Sequence, residues 1–246
     1  MKRKLFILMI FLLALKQVTY SQAFNKNIDK DTYLSEILKN IPEEKRDALK
    51  KQYEEGDEQS KEFLLFMFSM PRSSKKELVE NYENNSKEII TLKKRYSKLV
   101  PDSLIVSIEF NAVNKLIRTS ESIDLKIYRK NPNGQPTVVK QEWKLESTSE
   151  KLNEMLTILS WNHNTLKEIK KILDAANCIS IENGNITTIG FARSGMGKYS
   201  YKVFDKALSA NAIDEYNDGC TFIFYKDNIV LEYGGGAIGS QCFPDE

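Results

Sequence analysis

The chain has 246 residues, with 36 lysines and arginines against 34 acids, one histidine and three cysteines. A single histidine excludes a metal centre built on histidines, and no C-x-x-C pair replaces it. Three cysteines in a chain of this length exclude a small disulfide-held scaffold, because the chain can bury a core without bridges.

The first segment is basic at Lys2, Arg3 and Lys4, apolar over residues 5–15, and then carries small residues in Thr19-Tyr20-Ser21 and Ser21-Gln22-Ala23. That order is the plan of a secretory signal peptide. Eleven apolar residues are too few for a spanning helix, which needs about 20. Cleavage is expected after Ser21 or after Ala23, and neither point has the cysteine of a lipid-anchored protein. Removing residues 1–21 takes away four positive charges and no acid, turning the formal +2 into −2. The mature chain therefore has no basic stripe for a phosphate backbone, and nucleic acid is not an expected partner.

Residues 22–100 read as a helical segment. Leu34, Ile37, Leu38 and Ile41 form one apolar stripe, and Pro42 opens a second helix at a position where its missing N–H does no harm. That helix passes through Leu49 and Tyr53 to Gly56. Phe63, Leu64, Phe66, Met67 and Met70 form a third, ended by Pro71. Ser74-Lys75-Lys76-Glu77 is a capping box, and it opens a long helix through Leu78, Tyr82, Ile89, Leu92 and Tyr96.

After Pro101 the apolar period changes to two. Leu104, Val106, Ile108 and Phe110 predict one strand, Ile123, Leu125 and Ile127 a second, and Val139, Trp143 and Leu145 a third. Alternation of this kind belongs to an antiparallel sheet with one more exposed side. Two amphipathic helices follow, on Leu152, Met155, Leu156, Leu159 and on Leu166, Ile169, Ile172, Leu173. Strand pairs then turn at Asn183-Gly184, at residues 194–197 and at Asp227-Asn228. The predicted fold is α+β: an N-terminal helical segment, then residues 101–246 as an antiparallel sheet with two helices packed on it.

Chemistry-bearing motifs are few. "RSGMGKY", residues 193–199, has the Gly-Lys pair of a phosphate loop, but Ala192 and Tyr199 stand where a P-loop needs glycine and a hydroxyl residue. It reads as a hairpin turn, with Arg193, Ser194 and Lys198 at its mouth as candidates for holding an anionic group of a ligand. "DEYNDG", residues 214–219, begins like a calcium loop, but Tyr216 and Tyr225 occupy liganding positions. Acid–base work by two of Glu109, Glu142, Glu182, Asp205 and Glu232 requires a meeting in space that spacing does not specify. Glu232, mid-strand beside the glycine run, is the acid of most interest. His163 could pair with Cys178 or Cys220 only if the fold brought them together. No catalytic residue, metal ligand or cofactor is assigned.

In the last hairpin, an Asp227-Asn228 turn pairs Phe224 with Leu231 and Phe222 with Tyr233. Cys220, Phe222, Phe224, Leu231 and Tyr233 then share the expected core face. Gly234, Gly235 and Gly236 let the chain double back, so that Cys242 can reach Cys220. Cys178 is then free, although Cys178–Cys242 and Cys178–Cys220 are the alternative single bridges. The glycines form a second candidate partner loop.

The stretches "GFARSGMGKYSYKVFD" and "YNDGCTFIFYKDNIVLEYGGGAIGSQCF" resemble a family of exported bacterial proteins with no assigned activity, over residues 175–243. The resemblance implies export and carries over no catalytic residue. The expected role is a non-catalytic binding module, periplasmic or secreted, whose partner is another protein or an envelope component. It has no integral membrane span once the leader is removed. The alternatives are a hydrolase of envelope polymer or peptide using carboxylates or a cysteine, and a structural accessory of an envelope complex.

Overall fold

The computed structural model describes residues 25, 27–39, 41–114, 116, 120–132, 134–234 and 239–244. The predicted leader, Gly235 and Gly236 lie outside the described residues. The chain divides into two compact units, one of residues 1–69 with 113–120, the other of residues 70–112 with 121–246.

The described residues of the first unit form three helices, α1 (Lys30–Lys39), α2 (Glu43–Glu55) and α3 (Glu58–Ser69). Ile37, Leu38, Ile41, Leu49, Tyr53 and Leu65 form its buried cluster. Lys30 ties α1 to α3 through Glu58 (2.5 Å) and Glu62 (2.9 Å). Both are surface pairs worth under about 1 kcal/mol each, so the cluster carries the stability.

The second unit opens with α4 (Lys75–Leu99), β1 (Leu104–Asn111), β2 (Ser122–Arg129) and β3 (Thr137–Leu145), followed by α5 (Glu150–Leu159) and α6 (His163–Ala175). It closes with β4 (Ser180–Asn183), β5 (Thr187–Ser194), β6 (Gly197–Val203), α7 (Ala210–Glu215), β7 (Phe222–Lys226) and β8 (Ile229–Gly234). The eight strands form one antiparallel sheet in the order β3-β2-β1-β4-β5-β6-β8-β7. The predicted α+β class, with helices before the sheet, is the observed one.

Period-two alternation decides which face is covered. Val106, Ile108, Leu125, Ile127, Ile181, Ile189, Tyr199, Tyr201, Ile229 and Leu231 all project to one side and share a single buried cluster with α4, α5 and α6. The long helix therefore packs on the sheet beside the two amphipathic helices. Its capping box is formed: the Ser74 hydroxyl accepts from Glu77 N–H, and the Glu77 carboxylate accepts from Ser74 N–H. The opposite face carries Ser107, Asp124, Lys126, Glu182, Thr188, Lys202 and Glu232, all half-buried.

The last hairpin departs from the expected register. Lys226 pairs with Ile229 as expected, but a bulge at Tyr225 shifts the rest, so Phe224 faces Val230, Ile223 faces Leu231 and Phe222 faces Glu232. Phe222 and Phe224 thus lie on the polar face, where Phe222 packs edge-on to Tyr216, while Ile223 and Tyr225 pack against the core. The bulge is held by Tyr225, whose ring meets Tyr82 of α4 and whose hydroxyl donates to Glu83. An extra residue reverses every side chain beyond it.

Candidate functional site

A cavity of about 550 Å³ lies within the second unit at one end of the sheet. Its position follows from strand length. β4 has four residues, whereas its neighbours β1 and β5 have eight each. Glu109, Ser180 and Gly190 stand in register across the three strands, and beyond them β1 and β5 continue while β4 has not yet begun. Ahead of Ser180 the chain comes from α6 through Asn177, whose φ of 49° turns it away from the sheet plane. The walls are residues 109–112 of the β1 side and 191–193 of the β5 side, with Ile179 and Asn177 between them and the first turns of α4 alongside.

The wall on the polar face is built around Glu109, which is only 8% exposed. Its Oε1 accepts from Arg193 Nε at 2.7 Å, and Arg193 Nη2 lies 2.6 Å from the same oxygen. Its Oε2 accepts from Lys198 Nζ at 3.1 Å, and that ammonium also donates to Ser180 Oγ at 3.0 Å. Gly190 makes the arrangement possible: a Cβ there would stand 2.1 Å from Ser180 Oγ and 2.9 Å from Lys198 Cδ. Two cations occupy most of the carboxylate's accepting directions.

The wall toward the helices is rich in amides. Asn81, buried in α4, accepts at Oδ1 from Asn85 (2.8 Å) and Asn177 (3.0 Å). Its Nδ2 donates to Ala176 O (3.3 Å) and to Tyr201 Oη (3.0 Å), and Tyr201 in turn donates to Leu78 O at 2.7 Å. Asn85 departs from helical geometry (φ −127°, ψ 24°), a break in α4 where this network forms. Asn84 and Asn111 also line the cavity, and Phe110 and Phe191 give it two aromatic rings.

Of the sequence candidates, Arg193 and Lys198 converge on Glu109, and Arg193 lines the cavity. Ser194 braces its outer rim, accepting from Ser73 N–H (3.2 Å) and donating to Ser73 O (3.0 Å). Glu232 sits elsewhere on the polar face, 3.3 Å from Lys202. Gly234 ends β8 at φ 121° and bridges to Ser240, where any Cβ would meet Gly239 O at 2.6 Å. The sulfurs of Cys220 and Cys242 are 2.04 Å apart, at bonding distance. Phe243 N–H donates to Cys220 O, and the Phe243 ring packs on Tyr199 and Tyr233.

Cys178 is buried, and burial pushes its thiol up to about 12. It sits three residues beyond α6, while His163 starts that 13-residue helix. A helix of that length spans about 20 Å, so the two side chains cannot act as a pair. Glu142 and Asp205 each pair with a lysine, Lys151 and Lys93. In "DEYNDG", Asp218 Oδ1 accepts from the N–H groups of Cys220 and Phe222, and Asn217 Oδ1 from that of Phe224. The motif caps the open edge of β7.

The cavity residues that sequence reasoning passed over are Asn81, Asn84, Asn85, Asn111, Asn177, Phe110 and Phe191. One signal for them was present: three asparagines within five helix positions, where asparagine is a poor helix former. Among the described residues no group of three or more His, Cys, Asp and Glu could hold a metal ion, and no helix is long and apolar enough to cross a membrane. The chain matches no protein-family model, no curated protein and no solved structure.

Proposed function

We propose that this is an exported bacterial binding protein that holds its ligand in the cleft at the end of the sheet. Export is supported by the basic, apolar and small-residue order of the leader and by the bonded Cys220–Cys242 pair. The resemblance over residues 175–243 points the same way. The observation that carries the binding role is the lining of the cleft. It offers side-chain amides, which both donate and accept, together with two phenylalanines, in a volume typical of ligand sites. Its one buried carboxylate is engaged by Arg193 and Lys198, which suits a rigid wall better than a proton-transfer group.

The test fills the cleft. Asn84→Trp places an indole in it from an exposed position on α4. Immobilised wild-type protein and this variant are challenged with solubilised envelope from the native host. A component retained by the wild type and lost by the equally stable variant supports the role. Equal retention by both, or by neither, contradicts it.

A further inference from the structure

Both long walls of the cleft are runs of consecutive residues, 109–112 and 191–193. Consecutive strand residues point to opposite faces, so a cavity touched by all of them lies in the plane of the sheet, against strand edges. A strand seated between two neighbours takes about 4.8 Å on each side, and the place ahead of Ile179 is one strand wide because β4 itself fills its continuation. We propose that this notch takes an extended peptide segment of another protein, which completes the sheet as a forward extension of β4. The inference rests on the binding role of the cleft and names the chemistry of its ligand.

The backbone supports it. Phe110 N–H donates to Ile179 O at 3.0 Å, the last bond between β1 and the chain entering β4. Residues two apart along a strand turn their backbone groups to the same neighbour, so a straight continuation of β1 past its last residue, Asn111, sets the Ala112 N–H on the side of the empty place. No partner for that N–H is found among the described residues. At the outer end the β5 side is closed off, since Gly195 N–H donates to Pro71 O at 2.8 Å and Ser194 is engaged with Ser73. The open length is three to four residues. A sugar chain would use the amides and rings but has no use for strand edges, so the geometry favours peptide.

Side-chain preference follows from the alternation. A peptide residue opposite Ala112 points to the helix side, toward Phe110 and Phe191, and should be apolar. The one opposite Asn111 points to the face of Glu109 and Arg193 and should be polar. Main-chain bonds would supply affinity and these two places the selectivity.

The test uses a library of capped hexapeptides of alternating apolar and polar residues, screened against the full-length protein, with chitotetraose as the saccharide probe. The tightest peptide is then remade with a single N-methyl group at each central position. A strand between two neighbours uses its successive N–H groups in opposite directions, so methylation at either of two adjacent central residues should weaken binding at least tenfold. Ala112→Pro, which removes the unpaired N–H, should do the same without lowering stability. Binding indifferent to N-methylation overturns strand completion, as does a cleft that takes chitotetraose and no peptide, which would leave the binding role standing. If neither probe binds, both readings fall.

Discussion

Asn81→Leu offers the sharpest test of how the cleft is held. The substitution keeps volume and removes four hydrogen bonds, which at about 1 kcal/mol each suggests a loss near 4 kcal/mol. The structure argues for less. Asn177 is exposed and Asn85 half-buried, so both amides can turn to water. The Tyr201 hydroxyl still donates to Leu78 O. Only Ala176 O loses its amide donor while buried, keeping the weak Cys178 thiol contact at 3.3 Å. One under-satisfied carbonyl with partial relief gives about 2 kcal/mol. Tyr201→Phe should cost about 1 kcal/mol, because Asn81 Nδ2 keeps Ala176 O. The double variant should cost less than the sum, since the two share a bond. Urea unfolding followed by tryptophan fluorescence reports the second unit alone, because both Trp143 and Trp161 lie in it. With m near 2 kcal/mol/M, Asn81→Leu should lower the midpoint by about 1 M. A loss of 4 kcal/mol or more, or a Tyr201→Phe effect exceeding that of Asn81→Leu, would refute this reasoning.

Gly190→Ala should drive Lys198 off Glu109 and cost about 2 kcal/mol by the same unfolding assay, whereas Gly195→Ala, with open space around it, should act only through its positive φ. Burial raises the Cys178 thiol from 9.0 to about 12, and raises Tyr96 and Tyr201 as well. The unfolded chain releases these protons first, so stability is complete below about pH 9 and falls as pH rises toward the folded values. For Cys178 alone the loss approaches about 4 kcal/mol by pH 12, and Cys178→Ala should flatten that part of the curve. Thiol labelling should find no fast-reacting group in the native oxidised protein, one after unfolding, and three after unfolding with reduction. Reducing Cys220–Cys242 releases a 22-residue separation, costs about 3 kcal/mol in the chain-entropy model, and should free Phe243 from Tyr199 and Tyr233.

Periodicity made most elements legible. β1, β2, α5 and α6 carry unbroken patterns, and Ser74 with Glu77 announces the start of α4. The register of the last hairpin was not legible, because Tyr225 enters the bulge through contacts with Tyr82 and Glu83, more than 140 positions away. The cleft was hidden for a similar reason. It exists because β4 is shorter than the strands flanking it, and strand order is a long-range property that no local pattern encodes. Glu109 looked like any strand acid until Arg193 and Lys198 came round from the β5–β6 hairpin. The asparagines of α4 were visible as a local anomaly, since Asn81, Asn84 and Asn85 weaken a helix they do not cap. An anomaly of that kind signals that tertiary partners exist without naming them.

Hydrogen exchange at the Ala112 amide, read by NMR with and without the selected peptide, tests the central claim most directly. In the free protein this N–H has no partner among the described residues and should exchange with little protection. A peptide seated as the extension of β4 should slow it at least tenfold, together with amides on the facing stretch of β5 over residues 191–193. Saturating peptide that leaves Ala112 unprotected, or protects only side-chain contacts away from both strand edges, would contradict the account.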